Sequence, residues 1–303
     1  MLYITHKSFL GHKTGFRHPE SAERPRRLDA VAERLAEEGI VRVAEAPRGD
    51  RAFLETVHAP AYVSRVLDWE GRGFERFDSD TVMSSGTPDA ASRAVGAVSA
   101  GVDAVLDGRT ENAFCAVRPP GHHALYAEAK GFCFFNNVVL AARHALERRG
   151  LAKVAVLDFD AHHANGTEAL VSGDDRVLLC QTFQDGAFPF TGKASDTPAL
   201  VNVPLAAGAE SADFRRAVED KWLPAVSAFS PELILVSAGF DAHSADPLSG
   251  LDFRDDDYGW VAERIAETAE KLGVGVVSVL EGGYDLDALE RSAERYMRAL
   301  RDR

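Results

Sequence analysis

Carboxylate and imidazole side chains follow one apolar run closely enough to hold a metal ion. The run K-V-A-V-L at residues 153–157 is typical of a buried parallel strand, and it leads into Asp158, Asp160 and His162. Asp160 and His162 are two residues apart, so on an extended chain they point to one side and supply half of a zinc site. Asp158 lies on that same side and would support a neighbouring imidazole. The alternative is an acidic surface turn, which is disfavoured because carboxylates next to a buried strand need partners.

Three further strand-like segments end in polar groups. Asp241 would be a third metal ligand that leaves one position open for water, as in catalytic zinc sites, or else a helix cap or turn residue. The His122–His123 pair follows two prolines and a glycine; it would transfer protons near neutral pH, unless both are core histidines bonded to carbonyls. Tyr284 follows two glycines and would donate its hydroxyl to a developing oxyanion, or is only a turn residue. Parallel strands would bring all these groups to one edge of a sheet.

The elements that must position these groups alternate between strands and helices. Strands are predicted at residues 2–5, 113–117, 153–157, 176–182, 199–205, 233–237 and 274–280. Helices are predicted at residues 28–37, 61–69, 90–106, 137–148, near 168, 213–229 (interrupted or kinked at Pro224), 257–272 and 286–300. Residues 9–27 and 71–86 read as loops. This alternation predicts an α/β fold with a mainly parallel central sheet flanked by helices. No repeat or low-complexity linker divides the chain, so a single domain over residues 1–303 is predicted.

The overall composition is that of an ordinary globular protein. The 303 residues are 46% hydrophobic and 27% charged, and the net charge of −13 argues against direct binding to nucleic acid or to anionic membranes. The first residues contain too short an apolar run for a signal peptide, and no stretch reaches transmembrane length. Cys115, Cys133 and Cys180 form no C-x-x-C pair, which favours a reducing, cytoplasmic location.

Seven motifs together carry a resemblance to a known family. They are H-P-E at 18–20, R-P-P-G-H-H-A at 118–124, G-F-C-F-F-N-N at 131–137, D-F-D-A-H-H-A-N-G-T at 158–167, A-G-F-D-A-H at 238–243, D-P-L-S-G at 246–250 and E-G-G-Y at 281–284. In this order they resemble the zinc-dependent histone deacetylase superfamily, especially its class II, acetylpolyamine-amidohydrolase and acetoin-utilisation-like branches. The resemblance spans nearly the whole chain, and it implies an arginase-like α/β fold.

The resemblance also implies a role for each site residue. Zn²⁺ would be bound by Asp160, His162 and Asp241. His123 would be the main general base and His122 its electrostatic or acid partner, with Asp158 orienting His122 and Asn165 orienting His123. Because an amide cannot stabilise an imidazolium as a carboxylate does, His123 should stay neutral more easily. Tyr284 would polarise the scissile carbonyl beside the zinc.

A substrate tunnel and a second cation site are implied as well. The tunnel would be formed by Gly131, Phe132 and Phe188, with Leu248 and the carboxylate of Asp80 at its rim, while Arg24 would line a product channel. A structural K⁺ would bind the backbone carbonyls of Asp158, Asp160 and His162. The chain departs from the family at C-Q-T-F-Q (180–184), which replaces a more usual S-x-H, and at Phe190, where a glycine is common.

The leading functional hypothesis is a zinc amidohydrolase that removes acyl groups, chiefly acetyl, from lysine side chains of proteins or peptides. An apolar Leu248 at the rim favours acyl-lysine as the substrate. Acylated polyamines and other small acylated amines are the alternative. A non-catalytic acyl-lysine binding module is a hypothesis of another class, and the intact histidines and Tyr284 argue against it. An arginase-like dimetal hydrolase would need more Asp and His ligands than this edge supplies. Acyl length and oligomeric state cannot be read from the sequence.

Overall fold

A computed structural model describes residues 1–301 of the chain. The strands are β1 (Leu2–Thr5), β2 (Arg42–Glu45), β3 (Phe74–Arg76), β4 (Val82–Ser84), β5 (Asn112–Cys115), β6 (Val154–Asp158), β7 (Val177–Gln184), β8 (Ser195–Asp196), β9 (Leu200–Leu205), β10 (Leu233–Ala238) and β11 (Val276–Leu280). The α-helices are α1 (Glu23–Glu37), α2 (Arg51–Val57), α3 (Pro60–Leu67), α4 (Thr87–Leu106), α5 (Asn137–Arg143), α6 (Asn165–Val171), α7 (Ser211–Ala217), α8 (Leu223–Phe229), α9 (Asp255–Leu272) and α10 (Leu286–Ala299).

Nine of these strands form one twisted sheet in the order β2-β1-β5-β11-β10-β6-β7-β9-β8. All neighbours pair in parallel except β8, which is antiparallel to β9 at one edge. Strands β3 and β4 form a separate antiparallel hairpin. The predicted mainly parallel sheet with flanking helices is therefore confirmed.

Apolar side chains are buried on both faces of the sheet. In β6, Ala155 and Leu157 belong to one core cluster, whereas Val154 and Val156 belong to the other. Alternate residues of a strand point to opposite faces, so a strand buried on both sides must be apolar throughout. The first cluster includes α1, α9 and α10, and the second includes the Ala/Val-rich α4 together with α5.

Several boundaries differ from those predicted. Helix α1 begins at Glu23 rather than at 28, because its first turn is charged and shows no apolar periodicity. The predicted loop 71–86 contains the β3–β4 hairpin, whose three-residue strands are too short to give a pattern. A π-helical turn, Val218–Trp222, precedes α8. Pro224 thus lies directly after the π-helical turn, where the continuous helical segment 211–229 changes its hydrogen-bond pattern.

Strands β2 and β8 and helix α2 also fall where no element was predicted. Strand β2 is mostly exposed at the edge of the sheet, and its residues do not alternate between apolar and polar. The short helix α2 begins after Asp50, whose side chain caps it. Within residues 1–301, no helix combines the length and the apolarity needed to cross a bilayer.

Candidate active site

The four central strands deliver the polar groups to one edge of the sheet. Strands β5, β11, β10 and β6 are neighbours in that order and run parallel, so their carboxyl ends point the same way. The histidine pair follows β5, Tyr284 follows β11, Asp241 follows β10, and the D-F-D-A-H segment begins at the end of β6. The convergence predicted from the sequence is therefore present.

Asp160, His162 and Asp241 form a compact and buried set of donor atoms. Nδ1 of His162 lies 3.0 Å from Oδ1 of Asp160 and 3.0 Å from Oδ2 of Asp241. Nε2 of His162 donates to the carbonyl of Leu248 at 3.3 Å, which leaves the lone pair of Nδ1 directed at the two carboxylates. These ligand atoms all lie within 4.8 Å of one another, and the oxygen–nitrogen–oxygen set is one that divalent zinc accepts.

The backbone around this set is shaped to admit it. A Cβ on Gly282 would lie 2.1 Å from Oδ2 of Asp241, and a Cβ on Gly239 would lie 2.2 Å from Oδ2 of Asp160. The remaining carboxylate oxygens accept backbone N–H groups, from Ala161 to Asp241 Oδ1 at 2.9 Å and from Gly282 to Asp160 Oδ2 at 2.8 Å. Burial and the charge of Asp160 raise the pKa of Asp241 above its usual range. Two carboxylates held this close thus favour a bound cation, and the residues fit a single metal ion.

The two histidines differ in the partner of Nδ1. Nδ1 of His122 bonds the carboxylate of Asp158 at 3.1 Å, whereas Nδ1 of His123 donates to the amide oxygen of Asn165 at 2.8 Å. Burial disfavours a positive charge on His122. The negative charges of Asp160 and Asp158 together have the larger effect and raise the pKa of His122 to about 10. Burial, together with His122 and His162, lowers the pKa of His123 well below its usual range. His123 is therefore the neutral member, with its lone pair on Nε2.

Tyr284 is held in place by its backbone and its ring. Its N–H donates to Asp246 Oδ2 at 2.6 Å, and its ring meets Phe132 edge-on at 5.7 Å between centroids. The guanidinium of Arg24 lies 4.9 Å from the centre of the same ring. Burial raises the pKa of the Tyr284 hydroxyl well above its usual value, so this hydroxyl remains a proton donor.

A narrow cavity of about 180 Å³ connects these groups to the surface. It is lined by all five residues predicted to bind substrate together with three predicted to act at its floor: Asp80, Gly131, Phe132, Phe188, Leu248, His123, His162 and Tyr284. Gly131 has a φ of +54°, and a Cβ there would lie 2.5 Å from the His123 ring and 2.8 Å from Phe188. Only glycine allows the wall to approach this closely.

The β3–β4 hairpin closes one side of the cavity mouth. Asp78 accepts the N–H of Gly131 at 3.2 Å, and the Thr81 hydroxyl accepts the N–H of Phe132 at 2.9 Å. Burial and the neighbouring Asp78 raise the pKa of Asp80 to about 6. The rim carboxylate of Asp80 is thus built into a fixed loop rather than a free surface turn.

Arg24, predicted to line a product channel, is fully buried beneath Tyr284. Its Nε donates to the carbonyl of Gly283 at 2.7 Å, and Nη2 donates to the carbonyl of Glu281. Glu20 accepts from Arg118 Nε at 2.6 Å and lies 3.4 Å from Nη1 of Arg24. Arg24 therefore contacts the segment that carries Tyr284.

Three further carboxylates of the site had no role predicted from the sequence; Asp246 and Glu281 lie within the motifs given above, and Glu168 lies one residue beyond another. Asp246 accepts the N–H groups of Tyr284 and Leu248, and Glu281 accepts the N–H groups of Gly121 and His122. Glu168 accepts from His163, Gln181 and Asn202. The motifs D-P-L-S-G and E-G-G-Y were the available signal for the first two, because a buried carboxylate needs partners.

Comparison with known proteins decides the family. The sequence pattern of the histone deacetylase domain matches residues 18–300. The chain belongs to the histone deacetylase family. This deacetylase is 35% identical over 275 residues to the histone deacetylase-like amidohydrolase of Pseudomonas aeruginosa, which covers 88% of this chain and 72% of that protein. It is 34% identical to a probable deacetylase of Archaeoglobus fulgidus, over 94% of this chain and 81% of that protein.

A solved structure supports the same assignment. The acetylpolyamine aminohydrolase of Burkholderia pseudomallei superposes on this deacetylase with a TM-score of 0.87 and 28% identity, over 99% of this chain and 98% of that chain. The predicted resemblance and fold are confirmed, and the deacetylase is an enzyme of a zinc-dependent family rather than a non-catalytic binding module.

Proposed function

We propose that this deacetylase is a zinc-dependent amidohydrolase that removes acetyl groups from lysine side chains of peptides or proteins. One observation carries the proposal. A buried donor set, Asp160, His162 and Asp241, lies together with a histidine pair and a tyrosine at the floor of one narrow cavity. An aromatic slot of this kind suits the alkyl chain of a lysine, with the amide bond at its inner end.

Asp160, His162 and Asp241 would hold the metal ion. When bound, zinc supplies Lewis acidity to the acyl carbonyl and lowers the pKa of water. The chain's own contribution is to fix three donor atoms, to keep the site in a cavity of about 180 Å³, and to leave His123 and Tyr284 facing the same space. Asp160 and Asp241 are each tied by backbone N–H groups, so their oxygens need not reorganise.

His123 would act as general base. Its Nδ1–H donates to Asn165, so Nε2 is free to accept the proton of the attacking water. The proton is then delivered from a protonated imidazole to the nitrogen of the leaving amine, and the C–N bond breaks. His122 stands beside His123, with 4.0 Å between ring centroids, and its carboxylate partner lets it carry positive charge during this transfer.

Tyr284 would stabilise the negative charge that develops on the acyl oxygen. Its hydroxyl stays protonated, and Asp246, Phe132 and Arg24 fix the backbone and the ring. A donor held in advance costs no reorganisation when the charge appears, so it stabilises the transition state more than the bound substrate. The products are a carboxylate and a free amine, and Arg24, whose guanidinium lies against the Tyr284 ring, would line the channel through which the carboxylate leaves.

Acylated polyamines are the second substrate class. The similarity to an acetylpolyamine aminohydrolase favours them, and the net charge of −13 suits either cationic substrate. The apolar Leu248 at the rim favours lysine, because a carboxylate at that position would favour polyamines. K⁺ at the carbonyls of Asp158, Asp160 and His162, a single domain over residues 1–303 and a cytoplasmic location stay predictions.

The test is a substrate panel with a matched inactive variant. The zinc-loaded protein should hydrolyse acetyl-lysine peptides with a higher kcat/KM than acetylated polyamines. Tyr284→Phe should bind the same peptides but lose about 100- to 1000-fold in kcat, since it removes one oxyanion donor. Zinc content and circular dichroism of both proteins would control for metal loss and misfolding. Failure of the parent to hydrolyse any acylated amine would contradict the proposal, and a better kcat/KM for acetylpolyamines would replace lysine by the second class.

A further inference from the structure

Phe190 combines an exposed side chain with a backbone conformation that disfavours it. Its φ is +63°, in the left-handed region that normally takes glycine, and 78% of the residue is exposed to solvent. A single exposed phenylalanine is common on protein surfaces, but here the chain bears a backbone cost without gaining a buried ring. A strained residue that the fold does not need points to a role at a site.

The loop holds Phe190 in this position from both sides. The N–H of Phe190 donates to the carbonyl of Ala187 at 2.7 Å, and the hydroxyl of the next residue, Thr191, lies 2.9 Å from Nδ1 of the buried His163. Gly192 packs so tightly that a Cβ would lie 2.8 Å from the His163 ring. The loop is therefore fixed to the segment that carries His162, and the strained conformation is imposed by these anchors.

Phe190 lies beside the cavity wall, next to the lining residue Phe188. Its ring lies 6.4 Å from that of Phe188, and Phe188 lies 5.1 Å from the His123 ring at the cavity floor. Leu248, at the rim, is 37% exposed. Phe190 and Leu248 give the outer part of the site two exposed apolar groups, which we call the apolar rim.

A peptide acceptor lies at the same mouth. Oδ1 of Asp80 is shielded from solvent, and the carboxyl group of Asp80 interacts with that of the neighbouring Asp78. Two neighbouring carboxyl groups favour a ligand that brings an N–H group, and a peptide backbone carries such groups beside every side chain. The mouth therefore offers an acceptor for the backbone together with an apolar surface for a neighbouring side chain.

We propose that Phe190 is a specificity-determining residue that selects acetyl-lysine peptides with a bulky apolar side chain next to the acetyl-lysine. This inference rests on the proposed lysine deacetylase function and narrows its substrate class. With the lysine in the slot and its backbone at Asp80, the adjacent side chain reaches the apolar rim, where its contact with Phe190 removes apolar surface from water. A free acetylated diamine has no such side chain and gains nothing from Phe190.

The experiment compares kcat/KM for three substrates. They are an acetyl-lysine peptide with leucine on both sides of the acetyl-lysine, the same peptide with serine there, and an N-acetylated diamine. The parent should prefer the leucine peptide over the serine peptide by about five- to tenfold, as expected for partial burial of an apolar side chain. Phe190→Asn places a residue that tolerates positive φ at this position but removes the apolar ring. The ratio of kcat/KM for the leucine peptide to that for the serine peptide should then fall to about one. The kcat/KM for the diamine measures any general loss of activity in each variant, and the ratio between the two peptides is the readout for the apolar rim.

Two further variants keep the result interpretable. Phe190→Gly should also lose the preference, which separates the ring from any effect of the asparagine amide. Val43→Ser removes a different apolar residue, 46% exposed on the edge strand β2, and should leave the preference intact. Equal loss on all three substrates, or a parent that treats the two peptides alike, would overturn the inference. If the parent with bound zinc hydrolyses none of the three, it is the proposed function that fails.

Discussion

The partner of each imidazole separates the roles of His122 and His123. A carboxylate on Nδ1 of His122 stabilises the charged ring, whereas an amide on Nδ1 of His123 leaves the neutral ring favoured. Both partners, Asp158 and Asn165, were predicted as orienting groups, and both bonds are present in the structure. The geometry thus supports a division of labour that the histidine pair alone did not specify.

The division of labour predicts unequal effects of two substitutions. His123→Ala should reduce kcat by about 100- to 10,000-fold, the usual range for a general base, and His122→Ala should reduce it less. Both variants should retain the metal, because neither imidazole belongs to the donor set. Steady-state kinetics with zinc analysis measures both effects. If His122→Ala proves the less active of the two, the assignment of the base is wrong.

Asn165→Asp is a matched control for the same prediction. A carboxylate on Nδ1 raises the pKa of His123, so the base stays protonated up to a higher pH. The acidic limb of the kcat/KM profile should therefore move to higher pH, while Asn165→Ala should lack this shift. If the acidic limb of Asn165→Asp is unchanged, protonation of His123 does not control kcat/KM.

Some residue contacts were not predictable from the sequence. Asp246 holds the N–H of Tyr284 from 38 positions away, and Glu281 holds the turn before His122 from 159 positions away. A motif shows that a carboxylate is present, but it does not show which distant N–H group lies opposite. These contacts depend on the order of strands in the sheet, which periodicity does not give.

At the scale of elements, the loop at 185–193 is an ordered part of the site. Thr191 bonds His163, and Nε2 of His163 donates to Glu168 at 2.8 Å, at the start of α6. Glu168 also accepts from Gln181 on β7 and Asn202 on β9. This network links the loop that carries Phe188 to two strands and a helix.

The loop anchor predicts the effect of Thr191→Val. Valine keeps the shape of threonine but leaves Nδ1 of the buried His163 unpaired, a loss of about 1 kcal/mol or roughly fivefold. Because Phe188 lines the cavity rather than moving protons, KM for an acetyl-lysine peptide should rise about three- to tenfold while kcat changes by less than about twofold. Kinetics on the purified variant measures the split.

Thr268→Val provides the control for the loop anchor. Thr268 lies on α9, where its hydroxyl donates to the carbonyl of Arg264 at 2.8 Å, away from the cavity. Its kinetics should match those of the parent. The role assigned to the anchor would be contradicted if Thr191→Val and Thr268→Val had the same KM.

The predicted elements were most accurate where burial gave a clear pattern. The apolar runs of β6, β10 and β11 are buried throughout, and their positions match the prediction closely. The β3–β4 hairpin and β2 were missed, because short or exposed strands carry little hydrophobic signal. The hairpin nevertheless holds Gly131 and Phe132, so part of the cavity wall depended on elements that periodicity could not find.

At the scale of the whole molecule, the sheet order creates the site. Strands separated by long stretches of sequence become neighbours at the centre of nine strands, and their carboxyl ends meet at one edge. A mainly parallel sheet could be predicted because strands and helices alternate along the sequence. That β5, β11, β10 and β6 are neighbours in the sheet is known only from the structure. We therefore expect one metal ion per chain, because Asp160, His162 and Asp241 are the one such donor group found within residues 1–301.

The most direct test of the account is a zinc titration of the chelator-stripped protein, with acetyl-lysine peptide hydrolysis as the readout. Activity should be absent in the stripped protein and should reach its maximum at one zinc per chain. Asp160→Ala and Asp241→Ala, checked for folding by circular dichroism, should lose tight zinc binding and activity together. Full zinc occupancy in both variants, or undiminished activity in the stripped parent, would contradict the account.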